Sequence, residues 1–318
     1  MIRILHHNFK WILLGLLNVH LCSFAQQIAF DKTKQNKEVN FNYTWSDHQD
    51  QIRDIAFALP LRQLNKQNHK KFIPDLAQQY VYIALHKAAR KIDPREARVQ
   101  IQHRGQDIYI EVTSRSTKLF DKWQRSMNQS KTNALDQYLE DNYYSHFRTY
   151  LGQEAIKPDH LRYILENTAA LLPVAQAVYN KLPSNTETRS YVNLVLSWVQ
   201  SIPYNELNNR VTSNGAGYLP PLSVVANNQG DCDSKTVLMA SLVRSLIPEV
   251  KMVMVYLPNH ALLGIVLPFR TDEQTIKIDG MDYLLMEPTG PAKIPLGEIA
   301  NRSARDLAGN MYSFEEVP

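Results

Sequence analysis

Apolar and polar side chains alternate along Glu38–Trp45, with Val39, Phe41, Tyr43 and Trp45 in one register. That period of two predicts a strand with one buried face. Ile55-Ala-Phe-Ala-Leu59, just ahead of Pro60, is its expected partner. From Phe72 to Ile92 the apolar positions Ile73, Leu76, Tyr80, Ile83, Ala84 and Ala88 recur mostly at three- and four-residue spacing. This predicts a helix, with Pro74 tolerated in its first turn. A hairpin is expected next, Arg98–Gln102 against Asp107–Val112, turning at Arg104-Gly105. Helical patterns then cover 118–147 and 159–180, until Leu182-Pro-Ser-Asn185 breaks the periodicity.

The texture changes at Thr186. A helix is predicted over 186–202, with Tyr191, Leu194, Val195 and Trp198 on one side. Asn209–Leu222 is rich in Gly, Asn and Pro and reads as a loop. Asp233–Ile247 is apolar nearly all round, the mark of a helix buried centrally, and Pro248 ends it. Strands are expected at Lys251–Leu257 and Ala261–Leu267, then a hairpin of Thr275–Ile278 and Tyr283–Met286 turned at Asp279-Gly280. The expected fold class is α+β, a buried helix packed on an antiparallel sheet, preceded by a mixed α+β domain. The expected division is 1–25 as a signal segment, 26–185 as an N-terminal domain of unassigned role, and 186–318 as the catalytic domain.

The first segment reads as a secretory signal. Arg3 and Lys10 precede the apolar run Trp11–Leu17, and Ser23-Phe24-Ala25 supplies an A-x-A-like boundary. The run is far below the roughly 20 residues of a membrane-spanning helix. Cleavage after Ala25 makes the protein periplasmic or secreted, with no transmembrane segment in the mature chain. The 44% hydrophobic and 21% charged composition is that of a globular protein, and a net charge of +4 is too mild to demand a nucleic acid partner.

Cysteine sharpens the picture. Of Cys22 and Cys232, only Cys232 survives such a cleavage, so no intramolecular disulfide can form. Cys22 as a lipidation site is disfavoured, because Leu21 precedes it where a small residue is needed. A lone exported cysteine is either a buried inert thiol or a reactive one. Cys232 lies in Gln229-Gly-Asp-Cys-Asp-Ser-Lys-Thr236, at the start of the buried helix. There the helix dipole favours thiolate, and the first amides point outward, free to bind an oxyanion. Asp231 is the expected cap. His260, in Pro258-Asn-His-Ala-Leu-Leu-Gly-Ile265, begins a predicted strand, where an imidazole can act as base. Glu287, in Tyr283-Leu-Leu-Met-Glu-Pro-Thr-Gly290, ends the next hairpin and can orient the far imidazole nitrogen.

These three blocks, with Trp198-Val-Gln-Ser-Ile-Pro-Tyr204 before them, resemble the bacterial transglutaminase-like cysteine peptidase superfamily over roughly residues 186–300. The resemblance implies a papain/transglutaminase-like α+β core and acyl transfer from an amide through a thioester. It makes Cys232 the nucleophile, His260 the base and Glu287 the orienting acid, where the family usually has Asp. It identifies no side chain for the oxyanion hole; Tyr256 is the one considered. The implied substrate is a peptide or protein, including a cell-envelope component. Water as acceptor gives a peptidase or amidase, an amine gives transamidation, and a binding protein that keeps the fold without catalysis is the reading from another class.

Other chemistry is not expected. The histidines beyond residue 25 show no i, i+4 pair or His/Cys cluster, so neither metal nor cofactor is expected. No phosphate-loop or dinucleotide fingerprint occurs. Lys66, His69, Lys70 and Lys71 read as a solvated basic face. Asp231 and Asp233 are read as capping and substrate-excluding groups rather than a calcium site.

Overall fold

The computed structural model describes residues 26–65, 69–105, 107–209 and 215–318. The expected signal segment (residues 1–25, with Cys22) and Lys66 lie outside the described residues. In chain order the elements begin with strands β1 (Gln27–Gln35), β2 (Glu38–Ser46) and β3 (Ile52–Pro60), and helices α1 (Leu61–Leu64) and α2 (Pro74–Ala89). Next come β4 (Arg98–Arg104), β5 (Asp107–Thr113), α3 (Thr117–Asp141), β6 (Tyr144–Arg148), β7 (Glu154–Pro158) and α4 (His160–Tyr179). The remainder is α5 (Thr188–Ser201), α6 (Pro221–Asn227), α7 (Cys232–Leu246), β8 (Met252–Leu257), β9 (His260–Ile265), β10 (Thr275–Ile278), β11 (Met281–Met286), α8 (Asn301–Ala308) and β12 (Ser313–Val317). The fold is mixed α+β with antiparallel sheets.

The alternation in β2 does what it predicts. Val39, Phe41, Tyr43 and Trp45 are all buried, facing α4 and α5 from the antiparallel sheet β1-β2-β3. The Trp45 indole donates to Ser197 Oγ at 2.9 Å, and the Tyr43 hydroxyl donates to the Val225 carbonyl at 2.8 Å. Tyr43 also meets Trp198 edge-on, with ring centroids 5.2 Å apart. The polar ends of Trp45 and Tyr43 are thus satisfied within the core they fill.

Helix α7 lies in the middle. It packs on α4, α5 and α6 on one side and on β9 on the other, and every residue from Ser234 to Val243 is buried. Beyond it stands the five-stranded sheet β10-β11-β9-β8-β12, antiparallel throughout. All of β8 is buried because both faces are covered: Met252, Met254 and Tyr256 face the α7 core, while Val253, Val255 and Leu257 join a second layer with Leu307 of α8.

The core has no break at residue 185. One apolar cluster runs from Val39 of β2 through Tyr163–Val178 of α4 to α7 and the five-stranded sheet. Residues from both sides of position 185 contribute to this cluster. The chain with its own separate core is α2, β4, β5 and α3, closed around Val81, Leu85, Ile101 and Met127.

Other elements differ from the sequence pattern. β1 is unanticipated because it is an edge strand exposed along most of its length, so it carries no alternation. Helix α3 ends at Asp141, not at 147: Tyr143 takes a positive φ of 59° and Tyr144–Arg148 pairs with β7. Within the predicted loop, Pro221 starts the short helix α6. Among the described residues no helix is long and apolar enough to cross a membrane.

Candidate active site

The start of α7 is built by its local sequence. The Asp231 carboxylate caps the helix, accepting from the Ser234 amide at 3.0 Å, and Cys232 is the first helical residue. Gly230 is needed for close approach, since a Cβ there would meet Lys235 Cγ at 3.1 Å. Its amide donates to the Pro203 carbonyl (3.2 Å) and its carbonyl accepts from the Asn205 amide (3.1 Å), pinning the loop to the end of α5.

Lys235 ties three segments together. Fully buried, its ammonium donates to the carbonyls of Ile202 (2.7 Å), Gln200 (3.3 Å) and Thr289. Burial draws its pKa down to about 7, while three carbonyl acceptors favour the charged form. Gln200 adds to the tie: its side-chain amide donates to the Glu287 carbonyl at 3.0 Å and the Ile294 carbonyl at 2.8 Å.

The structure brings His260 and Glu287 together. His260 opens β9 after the Pro258-Asn259 turn, and Glu287 follows β11. Antiparallel pairing of Met286 with Leu263 brings both residues to one end of the sheet. Their side chains meet with Nε2 to Oε1 at 2.6 Å. The other Glu287 oxygen accepts from the Ala300 amide at 2.8 Å and Ser303 Oγ at 3.4 Å. Burial alone would raise the Glu287 carboxyl, but the bonds from His260 and Ala300 outweigh it and hold it below the usual carboxylate range. With Nε2 committed to Glu287, Nδ1 is the nitrogen left for chemistry. Asp282, the other carboxylate on this strand, lies at the far end of β11, opposite Lys277.

Cys232 is placed differently. Thr236, one turn along α7, donates to the Cys232 carbonyl at 2.8 Å and reaches the Ala261 carbonyl at 3.3 Å, which sets the first turn of α7 against β9 at the residue after His260. The thiol itself donates to Asp233 Oδ1 at 3.4 Å, and among the described residues no hydrogen bond links it to His260. Burial pushes the thiol well up, and Asp233 and Asp231 push it further. The expectation that the helix dipole favours thiolate is therefore outweighed in this arrangement by desolvation and two flanking carboxyls.

Three functional placements were not legible in sequence. His160, at the start of α4, is fully buried, and its Nε2 stands 3.8 Å from Asp233 Oδ2. Tyr256 donates to Glu315 at 2.7 Å and contacts His160 Nδ1 at 3.1 Å, so its hydroxyl is committed away from an oxyanion. His69 is buried between Tyr144 and Tyr163, which corrects the expectation of a solvated face. His160 and Asp233 are 73 positions apart, beyond any local motif. The one signal for them was Asp233 itself, next to the thiol. Among the described residues no group of three or more His, Cys, Asp or Glu is arranged to hold a metal ion.

Comparison with protein-family models, with curated proteins and with solved structures found no match to the chain.

Proposed function

We propose that the protein is an exported transglutaminase-like thiol enzyme. In this reading α7 on the five-stranded sheet is a papain/transglutaminase-like core, and acyl groups pass from an amide to Cys232 as a thioester. The observation that carries it is the 2.6 Å contact between His260 Nε2 and Glu287 Oε1, at the end of a sheet whose strand β9 packs on the buried helix that Cys232 opens. Glu287 fixes the His260 tautomer and stabilises the imidazolium. Nδ1 then takes the thiol proton once the Cys232 side chain turns from Asp233. The sulfur attacks the amide carbonyl, the outward amides at the start of α7 hold the oxyanion, and the imidazolium returns the proton to the leaving amine. Water completes the cycle in the hydrolytic form, the leading version. An amine completes it in the transamidating form. The substrate class is peptide or protein, with a cell-envelope component in keeping with export.

A second reading, a non-catalytic envelope protein, is favoured by one observation: the thiol is bonded to Asp233 and not to the imidazole. An active acyl ester separates the two. After incubation with such an ester, intact mass spectrometry of the enzyme should show one acyl adduct that is absent in Cys232→Ala. A native chain that stays unmodified while the unfolded chain reacts would support the non-catalytic reading. Export is tested by sequencing the mature N-terminus, which should begin at Gln26.

A further inference from the structure

A cavity that the mechanism above does not use opens one residue away from His260. It lies between the tip of the β6–β7 hairpin and the β8–β9 turn, with a volume of about 430 Å³. Its walls are Phe147, Tyr150, Leu151, Tyr256 and Pro258, and Asn259 stands at its edge. Asn259 also lines a second cavity, of about 220 Å³, which holds His260 and Glu287. The two cavities therefore adjoin at the residue before the imidazole. The Tyr256 wall reaches back toward the nucleophile. Its hydroxyl contacts His160 Nδ1 at 3.1 Å, and His160 Nε2 stands 3.8 Å from Asp233, the residue after Cys232.

The hairpin tip is firmly built. The Thr149 amide donates to the Gln153 carbonyl at 2.9 Å, and the Gly152 amide to the Thr149 carbonyl at 2.8 Å. The Gln153 amide donates to Thr149 Oγ1 at 3.2 Å, and Gly152 takes the positive φ of 74° that closes the turn. Phe147 anchors the hairpin edge-on against Tyr256, with ring centroids 4.9 Å apart. Turns of this kind ordinarily carry polar residues. This one presents Tyr150, 37% exposed, and Leu151, 63% exposed, to the cavity. None of the described lining residues carries a charge. Lys157, whose ammonium lies 5.2 Å from the centroid of the Tyr256 ring, is neutralised by Glu315 at 2.8 Å. Across Asn259, by contrast, Arg302 and Asp306 line the second cavity. The first cavity thus suits a large uncharged group, and its size falls within the roughly 300–1,000 Å³ of ligand clefts.

We propose that this cavity is a specificity pocket for one large uncharged side chain, aromatic or leucine-like, in the acyl part of a peptide substrate. Its occupant is argued from position: a chain whose amide reaches His260 passes Asn259, and the apolar walls begin there. Burying such a side chain against Phe147, Tyr150 and Leu151 removes apolar surface from water on both partners. A carboxylate in the same place would lose its hydration without gaining a cation. The hairpin lies outside 186–300, the stretch that resembles a known family, so this selectivity is a contribution of the N-terminal part of the chain. The inference deepens the proposed function and rests on Cys232 accepting an acyl group.

The test is the rate of Cys232 acylation in the full chain by blocked dipeptide active esters, read by intact mass. Phe, Ala or Glu is placed in turn at each of the two positions. At one position Phe should react about tenfold faster than Ala or more, and Glu should react more slowly than Ala. In the double variant Tyr150→Ser, Leu151→Ser the Phe-to-Ala ratio should fall to within about twofold of one. A ratio of two rates is blind to a general loss of activity. Leu151→Arg should turn the preference toward Glu, and it decides alone should the double variant fail to fold. Acylation of Cys232 that ignores the side chain at both positions overturns the pocket and leaves the nucleophile standing. So does a preference for Phe that survives both variants. A wild-type dimer that the double variant dissociates, with no side-chain preference, would give the patch to a second copy of the chain and overturn the proposal. A Cys232 that none of the esters acylates sinks the proposed function and the pocket with it.

Discussion

Lowering the pH should cost this protein stability through His69, by an amount the structure specifies. The ring is 3% exposed and bridges two hydroxyls. Tyr144 donates to the Lys70 carbonyl at 2.6 Å and so accepts from His69 Nε2 at 3.1 Å. His69 Nδ1, 2.9 Å from the Tyr163 hydroxyl, is then the acceptor. A second proton on the ring would meet the Tyr163 O–H head-on and place a charge among aromatic rings. Burial accordingly lowers the His69 pKa from 6.5 to about 4. Because the folded value is depressed, the unfolded chain binds the extra proton first, and stability falls as pH drops through the unfolded value. The loss is about 2 kcal/mol by pH 5 and about 3 kcal/mol by pH 4. His69→Gln offers an amide that donates to Tyr144 and accepts from Tyr163 without titrating. Urea unfolding at pH 7, 5 and 4 should show a variant somewhat less stable at pH 7 whose deficit shrinks, then reverses, on acidification. Parallel losses in both proteins would refute the neutral, doubly bonded ring.

Three further perturbations follow from the geometry. Gly264→Ala would bring its Cβ to 2.7 Å from Val253 Cγ1 in the centre of the five-stranded sheet; thermal or urea unfolding should show a loss of about 1–3 kcal/mol. Lys235→Met would leave the carbonyls of Gln200, Ile202 and Thr289 without their donor, and should cost about 3 kcal/mol or more in urea unfolding. Glu287→Gln should keep the fold, since the amide fits the same space, yet depress turnover at least tenfold, read as kcat against an ester substrate; Glu287→Asp tests reach and should retain part of that activity.

Local pattern carried the elements whose two sides differ and lost those whose sides do not. β2 was legible because Val39, Phe41, Tyr43 and Trp45 are buried while their neighbours are not. α7 was legible because it is buried all round, and Cys232, His260 and Glu287 because each sits at the end of such an element. β12, Ser313–Val317, was missed: it is an edge strand that exposes Phe314 and Glu316 and turns Glu315 inward to Lys157 and Tyr256, so its pattern inverts the usual apolar-in, polar-out alternation. The break at 182–185 is real as a turn, but a turn does not end a core, and α4 reaches across it to α7. The same reach hid the His160–Asp233 contact. Sequence also placed the helix dipole at Cys232 but not the desolvation and carboxyls that oppose it, since both depend on what packs around the helix start.

The central claim is that Cys232 is a nucleophile served by His260. Its most direct test is the rate of Cys232 modification by a peptide-like electrophile across pH 5–9, followed by intact mass in wild type and His260→Ala. The account predicts one adduct on folded protein, formed at neutral pH and slowed at least a hundredfold by His260→Ala. Equal rates in the two proteins, or an adduct that forms only after unfolding, would contradict it.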